Sequence, residues 1–222
     1  QHIRSPQRKK KKRKKVTTEK VASTKLDEAQ VGTSFNTTSY HDGYAYINNI
    51  GLQGHKNPQN IIQIKGNSTE VNKLHLPGTA IDAVSADDHY YYGVSNLNDY
   101  GYLTQMNFKE KKVNEIKEKS RFSYMVVPSH SKVYNFVDIE NDIACDIYDQ
   151  NLKRLKSIPL TQYGDNICKY YVDKDTLYFS FNNQNKYIGQ LNMNTDELKI
   201  IDMPYSYADN IYINDGKIYV SF

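Results

Sequence analysis

The chain has no tryptophan, two cysteines and six prolines in 222 residues. Two cysteines, Cys145 and Cys168, cannot make the disulfide framework of a small secreted scaffold. With no CxxC and no Cys/His cluster they do not build a zinc site either. Both are read as buried free thiols, the commonest setting for an unpaired cysteine. No apolar run approaches the roughly 18 residues that a membrane-spanning helix needs. The basic start leads into polar sequence and not into the apolar stretch of a signal peptide. A GxSxG elbow, a Walker loop, a dinucleotide fingerprint and a DxDxDG calcium loop are all missing. These absences remove the compact catalytic motifs, although a site built from dispersed loop residues stays open. Helical periodicity, with apolar residues at i, i+3 and i+4 over about ten residues, is not sustained anywhere in the body.

What the chain does have is tyrosine, 20 of them, in short alternating runs separated by Asn, Asp, Gly and Ser. Tyrosine suits strands because its ring packs while its hydroxyl finds a polar partner. The last run, DGKIYVSF (Asp215–Phe222), is a turn followed by an alternating strand, and versions of it recur upstream. Aligning them puts Tyr46, Tyr91, Tyr134, Tyr178 and Tyr219 in equivalent places, with steps of 45, 43, 44 and 41 residues. A second marker, Gln63-Ile64, Gln105-Met106, Asp146-Ile147 and Gln190-Leu191, steps by 42, 41 and 44. A period in this range is that of four-stranded propeller blades, which cannot bury their faces alone and stack around an axis. The spacing predicts an all-β β-propeller over residues 31–222. It would hold about four complete blades, from Thr33–Tyr40 onwards, plus two strands of a fifth at Asn210–Ile213 and Lys217–Phe222. The chain is read as part of a larger propeller of five to eight blades; the alternative has its last two strands completing the first blade.

Charge divides the chain. Residues 1–25 carry 11 Lys/Arg against Glu19 alone, whereas the remainder carries 18 against 24 acids. Residues 1–30 are read as a disordered tail, since a block of like charge such as Gln7–Lys15 repels itself. Such a block suits an anionic surface or a nuclear address. The body, with a balance of −6, is not a nucleic-acid-binding surface.

The cadence IYVSF with YIGQLNMNTDELKII resembles bacterial propellers of the YVTN and quinoprotein-like group. GTSFNTTSYHDGYAYI followed by NIIQIKGNSTEVNKL is similar to bacterial repeats related to the low-density-lipoprotein-receptor propeller. The tetrapeptide YWTD of the receptor type is absent, so no functional residue is carried over. The resemblance implies a cell-envelope protein.

His41, His89 and His130 stand at or beside the a–b turns of successive repeats, and equivalent turns of a propeller share one face. With His55 in the long loop Gly51–Asn60, they are the candidate ligand or partner contacts. Repeats four and five have Asp175 and Asp215 there instead, which breaks a uniform metal ring. No catalytic, metal or cofactor residue is assigned and no cofactor is expected. The expected function is a non-catalytic binding module for a protein, peptide or glycan. The alternatives are a propeller enzyme of lactonase or quinoprotein type and an intracellular or nuclear scaffold addressed by the tail.

Overall fold

A computed structural model describes residues 34–41, 43–50, 60–65, 68–73, 81–87, 89–107, 109–110, 112–129, 131–181, 186–206 and 210–221. The four strands of blade one are β1 (Ser34–His41), β2 (Tyr44–Ile50), β3 (Asn60–Lys65) and β4 (Ser68–Lys73). Blade two is β5 (Ile81–Ala86), β6 (Tyr90–Leu97), β7 (Tyr100–Asn107) and β8 (Val113–Lys119). Blade three is β9 (Phe122–Ser129), β10 (Lys132–Ile139), β11 (Asp142–Asp149) and β12 (Arg154–Pro159). Blade four is β13 (Ile167–Asp173), β14 (Thr176–Phe181), β15 (Tyr187–Asn192) and β16 (Glu197–Asp202). β17 (Asn210–Asn214) and β18 (Lys217–Ser221) pair with each other.

Each blade is an antiparallel meander in chain order, and β5 lies beside β1 and β9, as β17 does beside β13. The protein is thus an all-β propeller. Blade one has four strands of its own, so β17 and β18 do not complete it.

The middle strands explain the near-continuous apolar runs. In β10 and β11 both alternating faces are buried, because a neighbouring blade covers each side. Tyr134 and Phe136 with Ile143, Cys145 and Ile147 face blade four and meet Leu177, Phe179 and Phe181. The rings of Phe136 and Phe179 lie edge to face, 5.1 Å between centroids, a geometry that adds to simple burial. Val133 and Tyr148 face the other way, against Tyr92, Val94 and Leu103 of blade two. The outer strands of blades two and three are exposed and charged; β8 reads VNEIKEK and β12 RLKSIP. Charges and a proline on an outer strand discourage edge-to-edge pairing with another chain.

Register corrects the repeat alignment. Tyr46 and Tyr178 each stand opposite a glutamine of the next strand, Gln63 and Gln190. In blade two the residue opposite Gln105 is Tyr92, not Tyr91. In blade three Tyr134 stands opposite Ile147, and Asp146 opposite Asn135. Two adjacent tyrosines in blade two hid a one-residue slip, which places a side chain on the opposite face. Both Tyr91 and Tyr92 are buried, so burial did not separate them.

A further repeat appears at the turn after the third strand of blades two, three and four. Asn107 Oδ1 accepts the backbone N–H of Lys109 and Glu110. Asp149 Oδ1 accepts those of Asn151 and Lys153, and Asn192 Oδ1 those of Asn194 and Thr195. These Asx turns satisfy backbone donors locally and fix the step to the outer strand.

Candidate functional site

The site begins with a close backbone approach. Gly101, near the start of β7, lies so close to Arg121 that a Cβ there would meet the Arg121 carbonyl oxygen at 1.9 Å. Nearby, Ser120 has a positive φ and donates its N–H to the Asp99 carbonyl at 2.7 Å. The Asn96 amide clasps the backbone of Ser123 from both sides, at 2.8 and 3.0 Å. The connection from blade two to blade three is thereby pinned to the β6–β7 turn, and Arg121 is aimed into the seam between the blades.

Its partner is Asp146, in the middle of β11. Arg121 Nε and Nη2 donate to the two carboxylate oxygens at 2.5 and 2.6 Å, and Nη2 also donates to Ser157 Oγ at 3.0 Å. The Asp146 side chain is 0% exposed. A buried carboxylate is costly unless it is paired and hydrogen-bonded, and a bidentate guanidinium supplies both. The hydrogen bond to Asp146 holds the Arg121 guanidinium more firmly protonated than usual, outweighing burial. Arg154, at the start of β12, donates through Nη1 to both oxygens of Glu118 at 2.7 and 2.9 Å. Burial works against its charge, but Glu118 and Asp146 together raise its pKa. Burial, then the Asp146 charge, pushes the Tyr148 hydroxyl well above the ordinary phenol range.

Arg121 and Arg154 line an open groove of about 550 Å3 on blade three. Its floor is apolar, formed by Ile139, Ile143, Ala144 and Pro159, and Asp142, Ser157, Thr161 and Gln162 complete the lining. The volume is in the range of about 300–1,000 Å3 found for ligand sites. Chemically the groove offers fixed guanidinium groups, hydroxyls and an apolar floor.

The sequence-derived histidines lie elsewhere. His89 is exposed at the β5–β6 turn, where Asp87 Oδ1 accepts its backbone N–H at 2.8 Å. His41 is half-buried at the end of β1. Neither lines the groove. His55, His130 and residues 51–59 of the long loop lie outside the described residues. Among the described residues no group of three or more His, Cys, Asp or Glu is placed to hold a metal. Cys145 is buried as expected, whereas Cys168 is exposed on β13, a correction to its reading as a buried thiol. Burial also raises the Cys145 thiol well above its usual pKa. The missed residues left one signal: Asp146 is a charge within the apolar run IACDIY, where an unpaired acid would not be tolerated.

No family model matches the chain, and no curated protein matches it. Solved structures do. A chain of a nidogen–laminin complex superposes with a TM-score of 0.59 at 10% identity, over 83% of this chain and 70% of that one. A prolyl endopeptidase superposes with a TM-score of 0.55 at 11% identity. That match covers 74% of this chain but 26% of the endopeptidase. At such identities the likeness carries the propeller fold and nothing about function.

Proposed function

We propose that the chain is a non-catalytic propeller module that binds a protein, peptide or glycan. The supporting observation is the groove on blade three, beside the connection that enters it from blade two. Its charged groups are held by one another, Arg121 by Asp146 and Arg154 by Glu118. Guanidinium groups stay charged across the working pH range and so recognise anions without exchanging protons. Fixed donors over an apolar floor are a recognition surface. The basic run Lys9–Lys15 adds contact with anionic surfaces in this reading, and a bacterial cell-envelope location follows from the family resemblance.

The test is a screen of the full chain against peptide and glycan arrays, with hits checked by ligand-induced thermal shift. A saturable ligand whose binding responds to groove substitutions is expected. Turnover of a small substrate, with no such ligand found, overturns the proposal. Location is checked by fractionation of the native cells.

A further inference from the structure

The seam between blades two and three is polar at a place where the next seam is filled by a ring. Opposite the Asx residues Asp149 and Asn192 stand Lys132 and Thr176, so Asn135 and Phe179 hold equivalent places in blades three and four. Phe179 packs its ring against Phe136 of the preceding blade. Asn135 is far smaller, and it lines a narrow cavity of about 10 Å3. Both blades wall this cavity, with Leu103 and Ile116 from blade two and Val137 from blade three among the apolar residues.

The Asn135 side chain is only half satisfied. The residue is 2% exposed. Its Nδ2 donates to Ser123 Oγ at 2.9 Å, whereas its Oδ1 is buried and makes no hydrogen bond within the protein. Turning the amide over does not remove the deficit. Ser123 Oγ can donate to the oxygen as readily as it accepts from the nitrogen, and the other amide atom is then left over. A buried polar atom without a partner costs free energy, and native proteins satisfy nearly all such atoms, by ordered water where no protein group reaches.

Size and charge select the occupant. A cavity of about 10 Å3 has room for one water molecule and nothing larger. Its polar wall carries both the Glu118 carboxylate and the Arg121 guanidinium, so an ion of either sign meets a like charge. Water donates and accepts, and so answers either orientation of the Asn135 amide. Buried waters make about three hydrogen bonds, and Ser123, Glu118, Arg121 and Tyr148 stand on the same lining.

We infer that the seam between blades two and three binds one structural water, hydrogen-bonded to the side-chain amide of Asn135. Arg121 lines this cavity and the groove alike, so the water belongs to the contact that fixes the guanidinium. The inference is independent of what the groove binds.

The test is a crystal structure of the full chain at a resolution that shows ordered water, joined to oxygen-17 relaxation dispersion in solution. One solvent peak is expected within hydrogen-bond distance of the Asn135 amide and of at least one further polar group of the lining. In Asn135→Leu that peak should vanish and the number of long-lived waters should fall by one. A map that shows other buried waters but none at Asn135 overturns the inference. So does a peak with the short, many-fold oxygen contacts of a metal ion, which replaces water with a cation. An unchanged number of long-lived waters in a folded Asn135→Leu overturns it too. Circular dichroism establishes whether the variant is folded; if it is not, the map of the unaltered chain decides alone.

Discussion

The hydroxyl of Tyr134, on the second strand of blade three, lies 2.8 Å from the carbonyl oxygen of Met193 in blade four. The same hydroxyl is 2.9 Å from the Asp196 carboxylate, which also receives Lys132 Nζ at 2.7 Å. One boundary earlier the contact recurs with a different donor. Gln105 Nε2 lies 3.3 Å from the Tyr92 hydroxyl and donates to the Gln150 carbonyl at 3.0 Å. Gln150 and Met193 each follow the Asx residue of their turn. The polar side chains of one blade thus reach the same carbonyl of the next.

Tyr134→Phe should therefore destabilise the fold by about 1–3 kcal/mol, since a buried carbonyl and a carboxylate lose a donor. Lys132→Ala, which removes only the partly exposed ion pair, should cost under about 1 kcal/mol. Urea unfolding of both variants decides the order; a larger loss in Lys132→Ala would contradict it.

Removing one member of the Arg121–Asp146 pair leaves the other charge in the seam. Asp146→Leu and Arg121→Met should each cost about 3–5 kcal/mol, and the double substitution much less than their sum. A double-mutant cycle by chemical denaturation measures this. Additive losses would mean that the pair is not a unit.

Gly189 stands opposite Phe179 in the β14–β15 ladder, and a Cβ there would meet the Phe179 ring at 2.2 Å. Phe179 is 1% exposed and has no room to retreat. Gly189→Ala should cost about 1–3 kcal/mol by overpacking, and Phe179→Leu in the same chain should recover part of it. Thermal melts of the single and double variants test the coupling.

Burial raises the hydroxyl pKa of Tyr92, Tyr124, Tyr134 and Tyr148 above the ordinary value of 10.0, with nearby acidic groups adding to it. The stability these groups contribute is present below pH 10 and is lost as pH rises, because the unfolded chain releases its phenolic protons first. With no tryptophan in the chain, absorbance near 295 nm reports tyrosinate directly. These four should ionise together with alkaline unfolding, after the exposed tyrosines. A single smooth titration complete before unfolding would refute this.

Cys168 is exposed and Cys145 buried. One thiol per native chain should react with a disulfide reagent within minutes and the second only in denaturant, since the thiolate is the reactive form. Fast reaction of both would place Cys145 near the surface.

The strands of the described residues were legible because each blade repeats turn, alternating strand and polar turn at one period, as at Val113–Lys119 and Asn210–Asn214. The exact phase was not. Tyr91 and Tyr92 are both large, aromatic and buried, and only the partner strand distinguishes their faces. The groove was hidden for another reason. Glu118, Arg121, Asp146 and Arg154 are brought together by packing between blades, which local pattern does not encode. The histidines were visible as turn residues, and among those described, His41 and His89, neither lines the groove.

The direction of the contact between blades bears on how the protein is made. Tyr134 precedes the Met193 turn it holds, and Gln105 precedes Gln150. During synthesis the donor leaves the ribosome before its acceptor does. At these two boundaries the later blade meets a hydrogen-bond donor on the earlier one, an order that suits folding in step with synthesis.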